Sequence, residues 1–530
     1  MRIHSIASGI SLGIVSLFAL YWINPSHIPH NFSGSARIFD VMLFLLLTYV
    51  IWHPIVMEVI SWSLVSHIKK RPVIKPPLGL KIAFVTTFVP ASESISLLKK
   101  TLPAIVRVNY EHDSWLLDEG DDPAVKALCA LHGVKYFSRL GEERYNTNGG
   151  KYAKKTKAGN HNSWYDTFGH AYDFVAQVDT DFIPRKNFLN ATLGIFRDPK
   201  IAFVGTPQIY GNEKKSLIAK GAAQQTYNFY GPVLRGMDGM DTMLLIGANH
   251  VIRVAALEDV GHYSAHITED LLTGMKLHAA GWKSAYIPKV LARGEGPATW
   301  KAYFDQQKRW AYGCMHILFN HSSSLLRLTN NRRSLYYFMI QQHYFGGVAM
   351  GLSILCLSLY FAFGFMSARI DLLVFLSFYI PVLLVMIFMT LWQQRFNIRP
   401  KKERGILWAG IYINLAAWPI FLLAFFSLFK HKRLTYKVTP KGHRIRKNQP
   451  AVFKLFIPHL AIATIGMIGL ISSQYSNRKQ PLMLFWAVTT VLFMFMVPIF
   501  IPFSIFLTKK SKEVHVLAFE FRKRYLSKNV

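Results

Sequence analysis

Apolar positions in this chain gather into long runs towards its two ends and into short, interrupted runs in between. Residues 5–23 and 40–65 are mostly apolar. A bilayer core takes about 20 such residues per helix, so both runs predict membrane spans. No small-residue cleavage site follows the first run, so it does not read as a secretory signal. Between about 80 and 335 polar residues recur every few positions and no run qualifies. Apolar runs resume at 338–363, 371–393, 405–429, 452–472 and 481–508.

The middle block has a different rhythm. Residues 82–89 are β-branched and aromatic and end at Pro90, which predicts a buried strand. Helical spacing follows over 92–107, a short strand at 115–117, and a helix at 122–132 after an acidic turn. Residues 174–178 and 201–204 predict further strands. Strand–helix alternation of this kind predicts an α/β domain with a largely parallel sheet.

Composition agrees with a soluble block set among spans. Of 530 residues, 51 % are hydrophobic and 17 % charged, against roughly 25 % charged in soluble proteins. Disorder, collagen-like and disulfide-scaffold classes are excluded, since Cys129, Cys314 and Cys356 are few and scattered. The net charge of +32 matters more, because it bears on topology. Five cations lie in 394–404 and eight in 430–447. Were 405–429 a span, these two segments would face opposite sides, against the positive-inside rule. With Pro419 inside it, 405–429 is expected to lie in the interface without crossing. That leaves six spans, both termini in the cytoplasm, and outer loops 24–39, 364–370 and 473–480 with four cations among them. The basic excess then reflects membrane lipids rather than nucleic acid, because most clustered charge flanks spans.

Candidate chemistry sits at strand ends, where α/β sheets bind ligands. Asp118-Glu119-Gly120 follows one strand and Asp179-Thr180-Asp181 another. An Asp-x-Asp there can hold a divalent cation that also bridges a diphosphate, as Mg²⁺ prefers. Thr268-Glu269-Asp270 also has an ordinary explanation, a helix start capped by Thr268 with acids in its first turn. Gln306-x-x-Arg309-Trp310 can equally be an interfacial anchor, and the lysines around Lys157 a solvated loop.

The order of these motifs, with Lys157-Ala-Gly-Asn160 among them, resembles the processive membrane-embedded glycosyltransferases of family 2, which include cellulose, hyaluronan and chitin synthases. Tyr436-Lys-Val-Thr439 resembles the gating loop of cellulose synthases. The resemblance implies an α/β GT-A-type soluble domain inserted between transmembrane helices, with six spans plus interfacial amphipathic helices. Its implied divisions are 1–78 (two spans and a linker), 79–335 (catalytic domain with interface helices), 336–508 (four spans, interface helix 405–429 and gating loop 434–442) and 509–530 (basic tail). It implies that Asp118, Lys157, Asp179 and Thr439 hold the nucleotide and that Asp179 and Asp181 hold Mg²⁺ or Mn²⁺. Asp270 would be the general base, and Thr268 and Glu269 would help bind the diphosphate and acceptor. Gln306 and Arg309 would meet the diphosphate, and Trp310 the acceptor sugar. The implied reaction is inverting polymerisation of a UDP-sugar, with glucose favoured, into a β-linked polysaccharide exported through the protein's own channel. Its setting would be a bacterial-type inner membrane with the catalytic domain in the cytoplasm. Asp-Glu-Gly in place of Asp-Asp-Gly, Tyr436 in place of Phe, and Gly247-Ala-Asn249 depart from the cellulose synthase pattern and leave the linkage open. The short tail leads us to expect no fused cyclic-dinucleotide domain. A non-processive transferase with a lipid-linked acceptor and an inactive scaffold or transporter are the competing readings.

Overall fold

The computed structural model describes residues 2–429, 452–476 and 478–501. Thr439, loop 434–442, the tail 509–530 and the end of the last apolar run lie outside the described residues.

The middle block builds around a seven-stranded sheet. Its strands are β1 (Ile82–Phe88), β2 (Asp113–Asp118), β3 (Lys135–Ser138), β4 (Phe174–Val178), β5 (Ile201–Gly205), β6 (His250–Arg253) and β7 (Lys283–Tyr286). They lie in the order β3-β2-β1-β4-β6-β5-β7. β6 runs antiparallel to both neighbours, β4 and β5, and the remaining pairs are parallel. β4 and β5 are buried along their whole length, which is why they read as mostly apolar runs, with Gln177 the exception in β4. Strands β3, β6 and β7 escape the sequence pattern because they are only four residues long and carry charged residues such as Lys135, Arg253 and Lys283. The sheet is mixed, of the GT-A type.

Among the described residues, six helices are long and apolar enough to cross a membrane: Ile3–Trp22, Gly34–Ser66, Gly346–Phe363, Leu372–Phe396, Val452–Gln474 and Pro481–Ile501. The expected run 338–363 is two helices, Asn330–Tyr344 and Gly346–Phe363. Gly346 and Gly347 are poor helix formers at the join, and the first helix carries polar residues that suit it to the soluble side.

Segment 405–429 forms two helices, Trp408–Ala416 and Trp418–Ser427, bent by 41° next to Pro419. The first lies on helix Leu217–Asn228 of the middle block. The Gly410 amide donates to Gln224 Oε1 at 2.8 Å, and Gln225 Nε2 donates to Tyr303 Oη at 2.8 Å behind it. The second packs on helices Trp300–Asn320 and Gly346–Phe363. Elsewhere the second apolar helix meets the domain backbone to backbone. A Cβ on Gly236 would collide with the Leu64 carbonyl, so glycine is required there. Arg235 Nη1 donates to the Phe396 carbonyl at 2.7 Å, at the end of the fourth apolar helix.

A bent pair docked on the soluble domain should not carry the chain across the bilayer. Cysteines replacing Lys401 and Lys479, in a cysteine-free background, should therefore react with impermeant reagent from opposite faces. Labelling from the same face would mean that 405–429 crosses.

Candidate active site

The carboxyl ends of β1, β2 and β4 open on a cavity of about 990 Å³. Its wall takes in Glu119, Lys157, Asp179, Glu269, Asp270 and the helix residues Gln306, Arg309 and Trp310. It also reaches Glu58 on the second apolar helix and Asn414 on the bent pair.

Thr180 anchors the Asp179-Thr-Asp181 turn. Its buried hydroxyl donates to the Thr87 carbonyl of β1, and its own carbonyl accepts from Thr101 Oγ1 at 2.6 Å. Asp179 is left on the cavity wall. Asp181 is buried, and its Oδ2 accepts from the Glu295 amide at 2.8 Å.

Lys157 opens helix Lys157–Phe168, capped by Thr156 Oγ1, which accepts from the Gly159 amide at 3.0 Å. The ammonium donates to Asp179 Oδ1 at 2.6 Å and to the Gly247 carbonyl at 2.5 Å. The same carbonyl accepts from Gln177 Nε2 at 2.9 Å. Asn249 ends this turn with φ +59°, a left-handed conformation that asparagine tolerates. Lysine, acid and Gly-Ala-Asn turn therefore form one unit.

Glu269 and Asp270 do begin a helix, Glu269–Ala279, as the ordinary explanation of the tripeptide has it. Thr268, however, makes no side-chain cap. Its Oγ1 lies 3.0 Å from His266 Nδ1 instead. Burial raises both carboxyl groups above the usual carboxylate range, with Lys157 and Arg309 opposing that rise. Helix Trp300–Asn320 lies directly against this turn. A Cβ on Gly313 would overlap the Thr268 side chain, so glycine lets the helix bring Gln306, Arg309 and Trp310 to the same cavity.

Asp118 is placed differently from the other predicted residues. It is fully buried, and its carboxylate accepts from the amides of Gly120 (2.9 Å) and Asp122 (3.1 Å) and from Tyr136 Oη (2.8 Å). It shapes the turn, while Glu119 faces the cavity. Glu119 accepts from Arg139 Nε at 2.9 Å, and burial holds its carboxyl above the ordinary range. Arg139 is 1 % exposed and also donates to the carbonyls of Tyr145, Tyr152, Ala153 and Thr156. It ties the lysine-rich loop to the first acidic motif. The Asp118-Glu119-Gly120 motif gives Glu119 no role of its own, and Arg139 does not stand out in the sequence, because one charged residue past a short strand looks like any surface charge.

Residues 174–508, more than half of the chain, match the family model described as glycosyl transferase family group 2. Among curated relatives, the cellulose synthase catalytic subunit [UDP-forming] of Pseudomonas fluorescens (strain SBW25) is 26 % identical over 396 residues, covering 73 % of this chain and 51 % of the relative. The protein of the same name from Xanthomonas axonopodis pv. citri (strain 306) is 27 % identical over 415 residues, covering 76 % and 54 %. The chain thus spans about half the length of these relatives. Among solved structures, the mannosyltransferase PcManGT from Pyrobaculum calidifontis in complex with GDP-Man and Mn²⁺ aligns at 12 % identity with a TM-score of 0.49, covering 74 % of this chain and all of that one. On the strength of the family match, the chain belongs to glycosyl transferase family group 2.

Proposed function

We propose that this protein is a processive, inverting glycosyltransferase that polymerises a UDP-sugar, UDP-glucose in the simplest case, into a β-linked polysaccharide and passes it through its own membrane helices. One observation carries the proposal. A single cavity joins Lys157, Asp179, the Glu269–Asp270 pair and the Gln306, Arg309, Trp310 face, and continues to Glu58 of an apolar helix. A transferase that released each product to solvent would not need that continuation. The cellulose synthase relatives support the same reading. In this reading the domain 79–335 and both termini are cytoplasmic, in a bacterial-type inner membrane.

Asp179 and Asp181 offer the oxygen donors that a hard divalent cation prefers, beside a cavity large enough for a nucleotide sugar. Mg²⁺ or Mn²⁺ held there would offset the charge of the leaving nucleoside diphosphate. Lys157 and Arg309 bring positive charge to the same groups, Arg309 with a planar fork suited to phosphate. Asp118, through its grip on the Glu119–Gly120 turn, positions the nucleotide side of the cavity. Trp310 offers an aromatic face to the acceptor sugar. Asp270 takes the proton of the acceptor hydroxyl as that oxygen attacks the anomeric carbon. The bond to the diphosphate oxygen breaks, the nucleoside diphosphate leaves with the electron pair, and an α-linked donor gives a β-linked product. Thr268 and Glu269 hold Asp270 at the start of its helix.

Three outcomes test this. Incubation with a panel of UDP-sugars should yield long polymer from one donor, degraded by a linkage-specific β-glucanase. A single sugar on a lipid acceptor would reject processivity. Asp179→Asn and Asp181→Asn should each abolish turnover, as should EDTA, whereas full synthesis in EDTA would remove the metal from the scheme. Asp270→Asn should bind UDP-sugar within a few-fold of the parent yet transfer roughly 10²–10⁴-fold more slowly, the usual worth of a general base. If that variant keeps its rate at saturating donor, Asp270 is a binder, and Glu269 is the next base to test.

A further inference from the structure

Three histidines meet just outside the candidate site. His266 precedes the Thr268-Glu-Asp270 turn, His316 lies on helix Trp300–Asn320 six residues beyond Trp310, and His321 is the C-cap of that helix. One ring nitrogen from each lies within 4.8 Å of the other two, and all three side chains are half-buried. His266 Nε2 and His316 Nδ1 are only 3.1 Å apart. Two imidazole nitrogens at that distance cannot both carry a proton, so at least one presents a lone pair to the centre. The rings of His316 and His321 are 5.8 Å apart and those of His266 and His321 5.5 Å, so none is stacked away from the others. No step of the proposed sugar transfer uses any of them.

We infer that His266, His316 and His321 form a transition-metal site, with Zn²⁺ the ion that suits it. Three neutral imidazoles and no carboxylate are a borderline-soft donor set that favours Zn²⁺ over the hard cations expected at Asp179 and Asp181. Tetrahedral Zn–N bonds of about 2.0–2.1 Å place ligand nitrogens roughly 3.3–3.4 Å apart. The His266–His316 pair already stands close to that spacing, and the third nitrogen needs only a modest side-chain rotation. Thr268 orients the His266 ring: its amide donates to Nδ1 at 3.1 Å and its Oγ1 lies 3.0 Å from the same nitrogen, so Nε2 carries the ring proton towards His316 Nδ1. Ligation through Nε2 shifts that proton to Nδ1, which gives up the amide contact and takes Thr268 Oγ1 as its acceptor. The metal would therefore fasten the turn that carries Glu269 and Asp270 to the helix that carries Gln306, Arg309 and Trp310. It would do so without entering the cavity, whose wall includes none of the three histidines.

The test uses the full chain in detergent, purified through a tag without histidines, stripped with chelator and dialysed. Zn²⁺ is titrated against a chromophoric competitor with Mg²⁺ in excess. One Zn²⁺ per chain should bind. His321→Ala and the volume-keeping His316→Gln should each weaken it by at least the roughly 10–100-fold that loss of even an outer partner costs. Zn²⁺ should raise the thermal midpoint of the parent but not of these variants, and Co²⁺ in its place should show tetrahedral absorption bands. The Asp179→Asn/Asp181→Asn double variant should bind Zn²⁺ as the parent does, which separates this site from the one proposed for sugar transfer. A parent that takes up no stoichiometric Zn²⁺, or takes it up equally after His321→Ala, would reduce the three residues to a hydrogen-bonded histidine cluster and overturn the inference.

Discussion

The Lys157 ammonium is the contact on which the candidate site depends. It has an 11 % exposed side chain, sits at the start of a helix, and joins Asp179 at the end of β4 to the carbonyl of Gly247. Around it lie carboxylates that would otherwise repel one another in a poorly solvated space. Lys157 lowers the cost of ionising both Glu269 and Asp270, yet burial still holds both above the usual range. Removing one partner of a buried pair typically costs about 3–5 kcal/mol, because the other charge stays behind. Asp179 has a 26 % exposed side chain, so water recovers part of that cost here. One cation thus sets the spacing of acids from β4 and from the helix that starts at Glu269. In the function proposed above, it would also answer the negative charge of the donor's diphosphate.

A second brace, Arg139, works by a different balance. Its guanidinium spends its donors on Glu119 and on four carbonyls of the loop ahead of Lys157. Lysine in that position would have too few donors and no planar fork to reach them all. Because Asp118 is locked by amides and Tyr136, the strand-end turn is held in place by the chain's own contacts. Departure from Asp-Asp-Gly is then understandable. The second acid of the motif is the one paired with a buried arginine, and the longer glutamate reaches that partner while still facing the cavity.

The long periodic features were legible in the sequence. Both terminal groups of apolar helices follow from run length alone, and β1, β2, β4 and β5 follow from their β-branched and aromatic stretches. The charge argument over 394–404 together with Pro419 anticipates the bend in 405–429. What stayed hidden depends on contacts between distant segments. Nothing local marks Arg139 as a hub or His266, His316 and His321 as neighbours, since fifty residues separate the first two histidines. The motif order identified the acidic turns but could not tell which acid of Asp118-Glu119 faces inward. That choice is made by Tyr136 on the neighbouring strand, a residue whose own strand is too short to read.

The union of soluble domain and membrane helices follows from how closely backbone meets backbone. A side-chain interface several ångströms thick would let the domain rock on its helices, because long side chains can rotate to follow. Here Gly236 brings its helix against the Leu64 carbonyl and Gly221 meets the Ala409 carbonyl, while Arg235 and Gln224 add side-chain hydrogen bonds to the Phe396 carbonyl and the Gly410 amide. Contacts of that kind tolerate little sliding, since hydrogen bonds weaken steeply with angle and atoms in contact cannot interpenetrate. The cavity crosses this junction, lined by Asp179 of the domain and by Glu58 of the second apolar helix. A rigid junction keeps its two halves in register, as the proposed passage of a growing chain through the same cavity would require at every addition.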